Sequence, residues 1–134
     1  MAKRLVLPRV HAMVLCDDFE QSSNEDGVFH LYGVRSRIDV DAFPYTHPQL
    51  CVFLQLTGHR GTTRCRVAVV DRETDEEILV APTQVINLTG PLDVVATVFT
   101  MEDCEWAGPG LYYVQSMCDD KLVCERPLLV TRVE

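Results

Sequence analysis

The chain has 134 residues, enough for one domain that buries roughly two-thirds of its unfolded surface around a single core. Hydrophobic residues make up 47% and charged residues 24%, a balance that a disordered chain does not have. The formal net charge of −8 speaks against a general nucleic-acid binder, which needs basic clusters to displace counterions from phosphates. Nineteen valines and ten threonines against seven alanines tilt the chain towards strands, because β-branched side chains suit a pleated surface and crowd a helix.

The chain opens with Lys3 and Arg4 in the manner of a signal peptide. Pro8, Arg9 and His11 then break the apolar segment, and no small-residue cleavage site follows. No window approaches the eighteen or so apolar residues of a membrane span, so the expected location is the cytoplasm, away from any membrane. Further along, turn-like clusters fall at residues 17–27, 39–48, 58–63, 71–77, 87–91, 102–110 and 118–121. The apolar runs between them cover 10–16, 28–38, 50–57, 64–71, 78–88, 93–101, 111–118 and 122–131. This spacing predicts an all-β fold: one domain over residues 1–134, an antiparallel two-sheet β-sandwich of about eight strands with minimal helix.

Some strands show their faces directly. Leu50, Val52, Leu54 and Leu56 alternate with Cys51, Phe53 and Gln55, and Cys65, Val67 and Val69 alternate with Arg64 and Arg66. Gly58-His59-Arg60-Gly61 between these runs predicts a hairpin joining them. Asp119-Asp120 predicts the tip of the last hairpin, and Pro82 and Pro127 mark their runs as edge or bulged strands.

His11-Ala12, Leu15-Cys16-Asp17-Asp18, Leu31-Tyr32-Gly33-Val34, Phe43-Pro44 and Pro109-Gly110-Leu111-Tyr112 occur in that order. Together they resemble a family of small bacterial single-domain proteins of unknown function. The resemblance implies an immunoglobulin-like β-sandwich and brings no catalytic residues with it. The Pro-Gly-x-Tyr element is also similar to the turn-into-strand corner of immunoglobulin-like domains, which implies an inward Tyr112 bonded through its hydroxyl. The Cys-Trp-Cys arrangement of antibody domains is missing, since the single Trp106 precedes this strand.

Cys16-Asp17-Asp18 is the most reactive-looking cluster. Adjacent carboxylates raise a thiol's pKa, which is the wrong direction for an activated nucleophile. His11, five residues away on the same strand, points to the other face, and His30 comes near in one pairing register alone. The cluster therefore reads as a buried small residue followed by a solvated acidic turn. His47, before a proline, and His59, at a hairpin tip, read as surface residues. No two histidines have metal-ligand spacing, and no Cys-x-x-Cys occurs among cysteines 16, 51, 65, 104, 118 and 124, which read as reduced and buried. Acidic loops around Asp17, Asp39, Asp71 and Asp119 leave an alternative open, a calcium-dependent ligand or membrane-surface module of C2-like type. No loop carries the full spaced set of aspartates such a site needs, so neither metal nor cofactor is expected.

Run 93–101 is apolar on both faces, and Phe53 lies opposite the leucine face of its strand. Phe53, Val95, Phe99 and Met101 are accordingly the candidate interface residues. With no convergent acid, base, nucleophile or phosphate loop, the sequence predicts a non-catalytic protein-binding or assembly module. Its partner is another protein or a second copy forming a homodimer, met through an outer sheet face or an edge strand.

Overall fold

The computed structural model describes residues 7–58, 61–90 and 92–133. Among them the chain is all β, with eleven strands and no helix. A three-stranded antiparallel sheet has the order β1 (Arg9–Cys16), β5 (Tyr45–Thr57), β9 (Val94–Trp106). A six-stranded sheet runs β4 (Arg37–Val40), β11 (Lys121–Arg132), β10 (Gly110–Cys118), β6 (Gly61–Asp71). Beyond β6, two short strands share its far edge: β7 (Glu77–Val80) lies along one end and β8 (Gln84–Leu88) along the other. A separate two-stranded sheet is made of β2 (Asp18–Gln21) and β3 (Phe29–Tyr32).

The two larger sheets share one core. Leu50, Val52, Leu54 and Leu56 of β5 are fully buried with Leu15, Phe99 and Met101 from their own sheet. Val67, Val69, Val114, Leu128, Val130 and Ile38 of the other sheet belong to the same cluster. Strand alternation, which places every second side chain on one face, is what delivers these rows inward.

Several expectations are corrected by this arrangement. Runs 50–57 and 64–71 do not form a hairpin, because β5 and β6 lie in different sheets. Each run has a complete apolar face, and two such faces are satisfied by opposing one another across a core. His59 and Arg60 lie outside the described residues. Strand number rises above eight because two runs are each broken into two strands and one turn cluster holds a strand of its own. Gly33, at φ 65°, separates β3 from β4, and Pro82 separates β7 from β8. The cluster at 17–27, read as a turn, contains β2. The six-stranded sheet is mixed, since β4 pairs with β11 in parallel. Pro127 sits in β11 before the stretch Leu129–Arg132 that β4 reaches, so the strand is an edge at that point.

The four candidate interface residues are divided between the two faces of one sheet. Phe99 and Met101 are 1% and 4% exposed and Val95 packs against the same core, so the odd face of β9 points inward. Phe53 pairs with Val98 and lies on the outer face, where its ring meets Phe29 at 5.4 Å. Phe29 in turn stands 6.4 Å from Phe19, so the β2–β3 hairpin covers Phe53. Burial therefore places Phe99 and Met101 in the core and not on the outer face of the sheet.

Two expectations match the structure. Asp119 and Asp120 have φ of 49° and 65° and close a two-residue turn between β10 and β11. Two successive left-handed residues give the local twist that an antiparallel pair needs. Tyr112 is buried, its hydroxyl donates to the Gly108 carbonyl at 3.0 Å, and its ring meets Trp106 edge-on at 4.8 Å. Replacing Tyr112 with Phe keeps the ring contact and removes one hydrogen bond; urea denaturation should show a loss of about 1 kcal/mol with an unchanged slope.

Candidate functional site

The densest polar cluster of the described residues is built around Asp17, where the chain leaves β1 and turns towards β2. Its backbone N–H donates to the carbonyls of Tyr32 and Gly33, and its carbonyl accepts from the Gln49 side chain at 3.0 Å. Arg35 grips the carboxylate with two donors, Nε to Oδ1 at 2.5 Å and Nη2 to Oδ2 at 2.9 Å. This fork-to-fork pairing is the strongest geometry open to an arginine and a carboxylate. His47 Nε2 lies 2.8 Å from Oδ1, and its Nδ1 lies 2.9 Å from the Tyr45 hydroxyl. An N–H on Nε2 donating to Asp17, with Nδ1 accepting from Tyr45, satisfies every contact. The result is a continuous chain, Arg35 to Asp17 to His47 to Tyr45, that ties the β1 end, the β3–β4 connection and β5 to one carboxylate.

Electrostatics follow from that geometry. The Arg35 guanidinium, helped by His47, holds the Asp17 carboxyl below the usual aspartate range against an opposing effect of burial. The Cys16 thiol goes the other way, pushed up to about 11 by burial first, and then by Cys51 and Asp17 beside it. Cys16 is fully buried, so the structure gives no poised thiolate there. His30 stands exposed in β3, opposite Glu20 and not beside Cys16. His47, expected on the surface, is 5% exposed. The reason is that β5 begins at Tyr45, five residues before the apolar run, so His47 is a strand residue facing inward. Tyr45 and His47 share a face by their spacing of two, a signal the sequence carried. Arg35, coming from a separate segment, left none. Among the described residues no group of three or more His, Cys, Asp and Glu side chains converges as a metal site.

A second feature lies on the open side of β9. Among the described residues β9 pairs with β5 alone, so thirteen residues of strand have one unpaired edge. The Gln84 side chain touches that edge, donating to the Val98 carbonyl at 2.8 Å and accepting from the Thr97 hydroxyl at 2.6 Å. Beside it, a groove of about 440 Å³ is lined by Leu79, Val80, Pro82, Thr100, Met101 and Glu102. Val80 is about half exposed there.

Comparison with known proteins gives a family and a fold. A family model, "Family of unknown function (DUF6941)", matches residues 11–131. The chain belongs to this family. No curated protein matches the sequence. Among solved structures, the DUF6941 chain resembles part of the β-glucosidase from Listeria innocua, solved in complex with isofagomine. The TM-score is 0.55 at 9% identity, over 95% of this chain and 16% of that one. It also resembles part of the alkylpurine DNA glycosylase AlkC from Pseudomonas fluorescens, bound to DNA containing an abasic site analog. There the TM-score is 0.52 at 8% identity, over 92% of this chain and 30% of that one. The DUF6941 chain thus spans under a third of either protein's length. At such identities the likeness is one of fold. It nevertheless corrects the expectation of a non-catalytic chain, since these two fold neighbours are a β-glucosidase and a DNA glycosylase and a shared fold does not set this chain apart from them. No helix among the described residues is long and apolar enough to cross a membrane.

Gly33 shows how tightly the Asp17 cluster is built. A Cβ at this residue would lie 2.5 Å from Asp17 Oδ2, and its φ of 65° is left-handed. Gly33→Ala should therefore cost about 1–2 kcal/mol from the backbone alone, measured by chemical denaturation, with further loss from displacing the ion pair. Acid should also act here. Asp17 titrates lower in the fold than in the unfolded chain, so its charge stabilises the fold above the ordinary aspartate range. That contribution disappears as pH falls through the lowered native value. Unfolding midpoints between pH 7 and 2 should fall below about pH 4. Asp17→Asn should start lower at pH 7 and show a flatter fall across that window.

Proposed function

We propose that the three- and six-stranded sheets make an immunoglobulin-like sandwich that serves as an assembly module, joining a second copy of itself edge to edge through β9. The single observation that carries this reading is the side of β9 that, among the described residues, pairs with no strand and is flanked by the Leu79, Val80 and Pro82 groove. A free strand edge presents a row of N–H and C=O groups, and adding a strand satisfies them. The immunoglobulin-like shape is supported by the common core of the two sheets and by the Tyr112 corner.

Charge limits the register. The run Val94–Met101 carries no charge, while Glu102, Asp103 and Glu105 follow it and Asp93 precedes it. Antiparallel pairing of two copies about an axis at Thr100 sets Glu102 opposite Val98, Asp103 opposite Thr97 and Glu105 opposite Val95. No carboxylate then faces another, whereas an axis at Val98 would oppose Asp93 to Asp103. Like charges directly opposite one another destabilise a strand pair, which favours the Thr100 axis. Gln84 marks the Val98 carbonyl as turned to the open edge, and alternation along the strand turns the backbone of Thr100 the same way. A proline at Thr100 removes an N–H from that edge while leaving the β5 ladder its donors.

Light scattering over a dilution series tests the proposal. The full chain should pass from dimer to monomer on dilution, and Thr100→Pro should be monomeric at every concentration with its circular-dichroism spectrum retained. A wild-type chain that stays monomeric at the highest concentration overturns the reading, as does a Thr100→Pro dimer.

A further inference from the structure

Two cysteines on neighbouring central strands of the six-stranded sheet are in direct contact. Cys65 of β6 and Cys118 of β10 are register partners, both are fully buried, and their sulfurs lie 2.9 Å apart. The ladder shows which kind of pair they form. Asp119 N–H donates to the Arg64 carbonyl at 2.9 Å, so residues 64 and 119 are a hydrogen-bonded pair. The next pair along an antiparallel ladder, 65 with 118, is then a non-hydrogen-bonded one. At such pairs the Cα atoms come within about 4.5 Å and the side chains converge. That separation falls inside the range a disulfide spans, about 4.4–6.8 Å. The backbone has already placed both thiols where a bond needs only a small approach of the sulfurs.

We propose that Cys65 and Cys118 are a covalent cross-linking site, joined by thiol–disulfide exchange with a low-molecular-weight disulfide such as oxidised glutathione. One cysteine, as thiolate, attacks a sulfur of the small disulfide, forms a mixed disulfide and releases one small thiol. The second cysteine then attacks the protein sulfur of that mixed disulfide, forms the Cys65–Cys118 bond and releases the other small thiol. Two protein thiols are oxidised and one small disulfide is reduced to two thiols, so electrons and hydrogens balance. Because both sulfurs are sealed from solvent, the exchange takes place as the sheet closes during folding or when it opens. The bond closes a loop between residues 53 apart, at the end of β10 beside the Asp119-Asp120 turn.

A competing pair gives the test its specificity. Cys16 and Cys51 are also register partners and fully buried, but the Cys51 thiol is engaged elsewhere, 3.7 Å from the Thr100 hydroxyl and 3.8 Å from the Asp17 carbonyl. The full chain is unfolded and refolded in a reduced and oxidised glutathione couple, quenched in acid, unfolded and alkylated. Intact mass and non-reducing peptide mapping then report the outcome. Four of the six cysteines should take up the alkylating agent, with the Cys65 and Cys118 peptides joined and dithiothreitol restoring all six. Six alkylated cysteines under every glutathione ratio overturn the proposal, as does a bond between Cys16 and Cys51 in place of this one. In Cys118→Ser all five remaining thiols should be alkylated, and a persisting cross-link there is equally fatal. Because the wild-type peptide map stands alone, failure of the variant to fold does not rescue or sink the assignment.

Discussion

The structure depends on one strand having a wholly apolar inner face. Leu50, Val52, Leu54 and Leu56 lie along β5, the middle strand of its sheet, and none of them is exposed. A strand so placed cannot turn this face to water, and fully burying each such side chain contributes about 1.5–3 kcal/mol. The six-stranded sheet must therefore bring apolar side chains to the same core, which Val67, Val69, Val114, Leu128 and Val130 supply. That β5 and β6, successive in the chain, lie in different sheets is the topological expression of that demand.

The outer face of the same sheet is treated differently. Phe53 and Cys51 look away from the core: Phe29 packs on the first, which is half-buried, and the Asp17 turn lies over the second, which is fully buried. What keeps this cover in place is polar. Arg35, Asp17, His47 and Tyr45 bond in series, and the sharp turn at Gly33 leaves room for the carboxylate because no Cβ is there. One acidic residue thereby aligns three segments that are distant in sequence, a positioning role that each of its contacts supports.

The sequence disclosed strands far better than it disclosed their partners. Period-two patterns in 50–57 and 64–71 were plain, since side-chain alternation is a local property. Which sheet each strand joins is set by the collective need to oppose two apolar faces, and a glycine-bounded link suits a crossover as well as a hairpin. Residues 102–106 read as a turn because they are acidic, yet they continue β9, with Asp103 taking a left-handed φ of 50°. The Tyr112 corner was legible because its partner, Gly108, is four residues away. The Asp17 cluster was not, because Arg35, His47 and Gln49 reach it from across 18 to 32 positions of chain. Phe99 and Met101 point into the core, yet strand 93–101 is apolar on both sides and composition cannot say which side is the inside.

The small β2–β3 sheet has a thermodynamic consequence of its own. Two strands of four residues are at best marginal as an independent unit, so this flap is a candidate for opening without the rest of the molecule unfolding. Its hinge is the Asp17 turn, and directly beneath sit the thiols of Cys16 and Cys51. Their labelling kinetics under native conditions would thus measure the free energy of lifting the flap, giving the protein a built-in reporter of its own local breathing.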